Sequence, residues 1–339
     1  MRAVWTTGTN GPDSLEVRET GDPEPGPGQV RIRVRAAGLC FAEVMAAQGL
    51  YPGAPKFPAV LGYEAAGVID KAGEGVDPRR EGSRVVALTS SGAHADVVCV
   101  PGSQALAIPP HKDFNEAAAI PVNYLTAYHI LFRTAVIRPG ERVLVHMAAG
   151  GLGLAALQLC RTVSDIETFG TASAAKHPVL REEGCTHPID YHTADYVKEV
   201  RRLTGGEGVD VVLDPLGGAD SRKGLKLLRP GGRLIAYGFA NMTSGQRRRP
   251  VRVLRQAAAM PRLTPLALMN ANKTVAGVHI GRLTDRMDLL TGELTEVLAL
   301  WAAGAIAPRI DATYPLEGAA DAQRRILAHG NTGKIVLIP

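Results

Sequence analysis

A short apolar strand that runs into a glycine-rich turn and then a helical pattern constrains this chain most. Val143-Leu144-Val145-His146 leads into Met147-Ala148-Ala149-Gly150-Gly151-Leu152-Gly153, and helical patterning continues from Gly151 to Val163. Glycines let the backbone approach a pyrophosphate, and a helix N-terminus offers it free N–H groups and a positive dipole end. The match to G-x-G-x-x-G is incomplete, because Ala148 stands at the first glycine position. A plain tight turn between strand and helix is the alternative. The units that follow favour the dinucleotide site: Ile166 to Gly170, Val209 to Leu213 and Arg233 to Tyr237 read as strands alternating with helices. Such alternation argues for a parallel sheet covered by helices.

The first third has a different texture. Arg31-Ile32-Arg33-Val34-Arg35 alternates polar and apolar residues after the proline- and glycine-rich stretch 23–28, the pattern of a half-buried strand behind a turn. Ala65 to Ile69 and Arg84 to Leu88 add further short strands, which predicts a small β-rich domain. Glu116 to Leu131 reads as an Ala-rich helix that Pro121 should kink or break. The tail resumes with helices at Leu289 to Ala303 and Glu317 to Ala328 and a closing strand, Lys334 to Ile338.

A length of 339 residues predicts two domains. With 45% hydrophobic and 21% charged residues the chain can pack ordinary cores, which excludes a disordered or fibrous class. No apolar run reaches the roughly 20 residues that span a bilayer, and Met1 to Trp5 does not open a signal peptide. Cys40, Cys99, Cys160 and Cys185 are too scattered for a disulfide framework or zinc ribbon. Free thiols and a cytoplasmic setting are the expectation. Charge is uneven: from Ser221 to Thr284 there are thirteen Lys or Arg and no Asp or Glu. This asymmetry fits an anionic partner or a solvated basic face. No nucleic-acid module accompanies it, so no nucleic-acid partner is expected. Residues 241–270 are basic and proline-punctuated, and read as an inserted helical hairpin or flexible lobe.

The second strand of the alternating region selects the cofactor. NAD sites usually place an acid at its end to bind the ribose 2′-hydroxyl. Here it ends Phe169-Gly170-Thr171-Ala172-Ser173, with Lys176 following. Hydroxyls and a lysine suit a 2′-phosphate, which a carboxylate would repel. NADPH is the expected cofactor; Lys176 as an ordinary surface residue is the alternative.

Several segments resemble the quinone-oxidoreductase branch of the medium-chain dehydrogenases/reductases: Gly38 to Glu43, Gln48 to Pro52 and Gly62 to Gly67. Val145 to Gly151, Gly170 to Ser173, His187 to His192, Asp214 to Gly218 and the basic insert after Asn241 are similar to the vesicle amine transport protein homologues within it. The resemblance implies an α/β fold: a doubly wound Rossmann parallel sheet plus a GroES-like β-rich domain. The GroES-like part would be 1–123 and 283–339 and the Rossmann part 124–282, with the cofactor between them. By position, Gly150, Gly151, Leu152 and Gly153 would face the pyrophosphate. Thr171, Ser173, Lys176 and Tyr191 would surround the 2′-phosphate. Thr126, Gly238, Phe239 and Ala240 would lie beside the nicotinamide, with Asn331 near the cleft.

Zinc-dependent relatives bind catalytic metal with a cysteine, the histidine of Gly-His-Glu, and a third cysteine or carboxylate. Cys40 stands at the first position, but Tyr63 replaces the histidine and Val122 the third ligand. One ligand of about three is not a site, so no metal is expected. Most quinone-oxidoreductase relatives carry asparagine where this chain has Cys40, and several carry tyrosine at Met45. A thiol is a weak donor and a thioether donates nothing, which leaves Tyr51 and Tyr63, with Cys40, as the catalytic candidates.

The expected function is NADPH-dependent reduction of a quinone or conjugated carbonyl substrate without zinc. The alternative is a lipid- or membrane-surface binding protein that keeps the fold, suggested by the resemblance and by Arg247, Arg248, Arg249, Arg252 and Arg255. Lys273 to Ile280 alternates and is β-branched, so it should form an edge strand. Pairing with its two-fold copy would make a homodimer, which proline at Val278 should disrupt.

Overall fold

The computed structural model describes residues 1–242 and 250–339. They form two compact units, one of 1–125 with 280–339 and the other of 126–242 with 250–279.

The first unit opens with β1 (Arg2–Thr6), β2 (Leu15–Glu19), β3 (Gln29–Leu39), α1 (Phe41–Ala47), β4 (Ala59–Val60) and β5 (Glu64–Ala72). It continues with β6 (Arg84–Leu88), β7 (Val97–Pro101), β8 (Ala105–Ala107) and α2 (Phe114–Ala118). In β3 the alternation does what its pattern requires. Val30, Ile32 and Val34 are buried, while Arg31 and Arg33 turn out to Asp70 at 2.9 and 2.8 Å. The expected long helix stops at Ala118 and restarts as α3 (Asn123–Tyr128), passing into a π-helical turn at His129–Thr134. Pro121, which has no N–H to donate, lies in the gap.

The second unit holds β9 (Arg142–Val145), α4 (Gly151–Cys160), β10 (Glu167–Ala172), α5 (His177–Glu182), β11 (His187–Asp190) and α6 (Tyr196–Leu203). After these come β12 (Val209–Asp214), α7 (Ala219–Leu227), β13 (Leu228–Ala236), α8 (Pro250–Ala259), α9 (Pro265–Ala271) and β14 (Thr274–Gly277). Its six strands are parallel in the order β11-β10-β9-β12-β13-β14. This is the doubly wound arrangement, and its order reverses between β9 and β12, where such sheets open a crevice at the carboxyl ends of the strands. Leu144, Phe169, Val212 and Leu234 are among the fully buried residues of its core. Of the insert, 250–271 forms the two helices α8 and α9, the second capped by Thr264 Oγ1 accepting from Ala267 N at 3.2 Å. Arg247, Arg248 and Arg249 lie outside the described residues.

The chain returns to the first unit with α10 (Met287–Ala302), β15 (Ile310–Pro315), α11 (Ala319–Leu327) and β16 (Lys334–Ile338). There β16 pairs antiparallel with β3 and parallel with β15, completing a sheet ordered β15-β16-β3-β5-β6-β8, with β7 also on β3. Its core gathers Ile32, Ile69, Val85, Leu316 and Leu337. No described helix is long and apolar enough to cross a membrane.

The edge strand is shorter than the sequence suggests. β14 covers only 274–277, although it does end the sheet. Val278 is 8% exposed and its N–H donates to Ala236 O at 2.9 Å. Proline there would break a bond within the chain, so Val278 is the wrong position at which to probe the free edge. Backbone groups alternate in direction along a strand, so Val275 and Gly277 present theirs outward.

Candidate functional site

In the second unit the turn 147–150 leaves β9 beside the point where strand order reverses. Gly150 is the N-cap of α4 and supplies no side-chain acceptor, and the first bond closing the helix is Leu154 N to Gly150 O, 2.9 Å. The N–H groups of Gly151, Leu152 and Gly153 are the orphans that every helix start leaves. Gly153 has no room for a side chain: a Cβ would stand 2.5 Å from Met147 O and 2.6 Å from Ala148 Cα. The turn is pressed against the helix start, and an uncapped helix N-terminus with that close approach fits a pyrophosphate.

The next strand ends bring together what the sequence spreads over twenty residues. β10 and β11 pair in parallel with Ala172 opposite Asp190, so Ser173 and Tyr191 leave the sheet side by side. Lys176 is half-buried at the start of α5, and Tyr191 is exposed with its ring against His192, centroids 4.3 Å apart. Asp190 accepts from His192 N at 3.1 Å and Thr193 Oγ1 at 3.0 Å, and those bonds hold its carboxyl below the ordinary range. Thr171 is placed differently from a ligand. It is 4% exposed, with its hydroxyl 3.1 Å from His146 Nδ1. It steadies the turn, since its carbonyl also accepts Ala148 N at 3.1 Å.

At the end of β12, Asp214 accepts the N–H groups of Leu216 (2.9 Å) and Gly217 (3.0 Å) and the Ser221 hydroxyl. That fixes the turn on which Phe239 rests: a Cβ on Gly217 would lie 3.0 Å from the Phe239 ring. Gly238 is packed against Pro215, and Ala240 N donates to Pro215 O at 2.8 Å. Thr126 is nearly buried on α3. In the first unit, Asn331 Nδ2 donates to Gly333 O at 3.0 Å.

The first unit also contains a buried polar cluster that sequence reading missed. Cys40, at the end of β3, donates its thiol to Glu64 Oε1 at 3.2 Å, and Lys334 Nζ lies 2.8 Å from Cys40 Sγ. Lys334 also pairs with Glu64, whose other oxygen accepts Val122 N at 2.7 Å. Glu43 accepts Cys40 N at 2.8 Å and Tyr63 N at 3.3 Å. His94, neutral, donates to Gly38 O at 3.3 Å. Gly38 must be glycine here, because a Cβ would collide with Glu64 and the Ala118 carbonyl. Burial pushes the Glu43 carboxyl up to about 7 against the pull of Lys334, and His94 down to about 4. Burial, reinforced by Glu43 and Glu64, pushes the Cys40 thiol well up. Burial alone would lower Lys334; Cys40, Glu64 and Glu43 outweigh it and raise it.

Cys40 therefore keeps its proton and directs it to Glu64, which leaves no thiol donor for a substrate. The tyrosines are different. Their rings lie 5.8 Å apart, and burial, helped by Glu43, raises Tyr51 to about 12 and Tyr63 further. Both remain phenols at neutral pH, and the buried Tyr63 hydroxyl has no partner. As a metal site the donor set does not fit. Lys334 places a cation against the one sulfur, Tyr63 offers a protonated phenol, and no group of three described His, Cys, Asp or Glu side chains could hold an ion.

Residues 26–110 match the alcohol dehydrogenase GroES-like domain, and residues 183–337 match a family described as zinc-binding dehydrogenase. The chain is 48% identical over 341 aligned positions to the synaptic vesicle membrane protein VAT-1 homolog of Rattus norvegicus, covering all of this chain and 84% of that one. The crystal structure of the human VAT-1 homolog-like protein matches with a TM-score of 0.86 at 37% identity, covering 100% of this chain and 98% of that one. The Escherichia coli quinone oxidoreductase, solved with NADPH, matches with a TM-score of 0.86 at 29% identity over the whole of both chains.

Proposed function

This chain belongs to the medium-chain dehydrogenase/reductase family, among the VAT-1 homologues, and from that premise we propose that it reduces quinones or conjugated carbonyl compounds with NADPH and without zinc. The oxidoreductase class comes with the family. The observation that carries the cofactor reading is the uncapped start of α4 beside a β10 end that has hydroxyls and Lys176 in place of an acid. NADPH would sit with its pyrophosphate on Gly150 to Gly153 and its 2′-phosphate at Ser173, Lys176 and Tyr191. Gly238, Phe239 and Ala240 would flank the nicotinamide. When bound, it supplies the hydride.

The chain's own residues then position the substrate and stabilise the oxyanion that grows on it. Tyr63 is the donor best prepared for that task, since it is protonated and unpartnered, with Tyr51 beside it. Titration with NADPH and NADH, followed by assays with quinones and enones, tests this reading. Lys176→Ala should weaken NADPH binding by about 1.5–3 kcal/mol and leave NADH nearly unchanged. Equal dissociation constants for the two cofactors in the unmodified protein would defeat it.

A second reading has its own observation. On α8, on α9 and between them, Val251, Leu254, Leu263, Leu266 and Met269 are 40–80% exposed among Arg252, Arg255 and Arg262. Apolar side chains set among arginines suit an anionic membrane surface, at about 1 kcal/mol per basic residue. Co-sedimentation with phosphatidylserine vesicles against neutral ones tests it; equal recovery would reject it.

A further inference from the structure

We propose that His177 and His192 form a proton-dependent clamp on the 2′-phosphate, so that NADPH binding takes up a proton and strengthens relative to NADH as pH falls from 8 to 6.5. The inference rests on the reading of Ser173, Lys176 and Tyr191 as the 2′-phosphate pocket.

Three observations place the imidazoles there. The register that sets Ala172 opposite Asp190 brings the two strand ends together. His177 Nε2 lies 3.4 Å from Ala172 O, which holds that ring against the residue preceding Ser173. The His192 ring packs on Tyr191 at 4.3 Å, and both histidines act electrostatically on Asp190.

The charged and titratable groups around the pair are Asp190 and Tyr191 at the end of β11 and Lys176 at the start of α5. Lys176 and Asp190 cancel. With neutral imidazoles the pocket would then meet a group carrying about −1.5 to −2 charges with no net positive charge. Protonating the imidazoles supplies it. Histidine ordinarily titrates near 6.5, and an approaching phosphate favours its charged form. For an ordinary imidazole, a tenfold gain in proton affinity on phosphate binding makes the NADH-to-NADPH ratio of dissociation constants grow about fourfold from pH 8 to 6.5.

Calorimetric titration of the full chain with NADPH and NADH decides the matter, run at several pH values in two buffers of different ionisation heat. After the phosphate's own ionisation is subtracted, the unmodified protein should show a net change of about threefold, with net proton uptake with NADPH only. His177→Gln with His192→Gln should abolish both while still binding NADH. The phosphate's own ionisation near 6 acts in the opposite direction and should be what the double variant retains. A preference for NADPH that is flat with pH, or whose strengthening toward low pH survives the double substitution, overturns the clamp alone. Equal affinity for both cofactors at every pH overturns the pocket beneath it.

Discussion

Lys334→Met tests whether the buried cluster of the first unit is an electrostatic unit or a packing accident. Lys334 is 3% exposed and touches Cys40 Sγ and Glu64, whose second oxygen holds the backbone at Val122. Methionine keeps much of the volume and removes the only cation in contact with Glu64 among the described residues. Breaking one partner from a buried pair costs about 3–5 kcal/mol, because the other is left charged and unpaired. That is a large fraction of the roughly 5–15 kcal/mol a native protein has in total. Both tryptophans, Trp5 and Trp301, lie in this unit, so urea unfolding followed by tryptophan fluorescence reports on it directly. Adding Glu64→Gln should restore a large part of the loss, since the amide needs no cation and still accepts from Val122. A single-variant loss below about 1 kcal/mol, the level of an exposed ion pair, would refute the reasoning. So would a double variant that loses the sum of both singles.

The pH dependence of stability should follow two opposed groups in the same cluster. Burial holds Glu43 up to about 7, so its contribution is full below pH 4.5 and lost as pH rises through 7. Burial holds His94 down to about 4, so its contribution is full above 6.5 and lost as pH falls through 4. The two contributions nearly cancel between pH 5 and 7, so Glu43→Gln should leave the His94 trend alone, a rise in stability of about 2 kcal/mol over that range, read from urea midpoints. Gly153→Ala forces a Cβ into the backbone of Met147 and Ala148; it should cost about 1–3 kcal/mol in stability and weaken NADPH binding in fluorescence titration. If the free edge of β14 joins two copies, Val275→Pro should shift light scattering from dimer to monomer without unfolding the sheet. A dimer that persists would move the interface elsewhere.

Much of this was legible in the sequence where the signal is local. Val143 to Gly153 announces strand, turn and helix within eleven residues, and the alternation of Arg31 to Arg35 announces its buried face. Pro121 marks a helix break because a missing N–H acts at its own position. The cluster around Cys40 was not legible. No basic residue flanks Cys40 in the chain, and its cation arrives from 294 residues away through the pairing of β16 with β3. Glu64 heads an apolar strand and Lys334 another; a charge inside such a run was the available sign that each would need a partner. The placement of Thr171 eluded the reading for a related reason: a hydroxyl at a strand end suits a phosphate or a buried histidine equally well.

The pairing of β16 with β3 also dictates an order of events during synthesis. The second unit is complete once residue 279 has been made, with every strand of its sheet available. The first 125 residues are made earlier, yet they lack the strand beside β3 and the ammonium between Cys40 and Glu64 until Lys334 is added. At about 5–20 residues per second that wait lasts roughly 10–40 s. Throughout it the nascent N-terminal segment carries an open sheet edge and an uncompensated carboxylate, while the segment that follows it is already able to fold. A ribosome stalled just before Lys334 would hold a finished nucleotide-binding unit attached to an unfinished partner, and that intermediate is where chaperones should engage this chain.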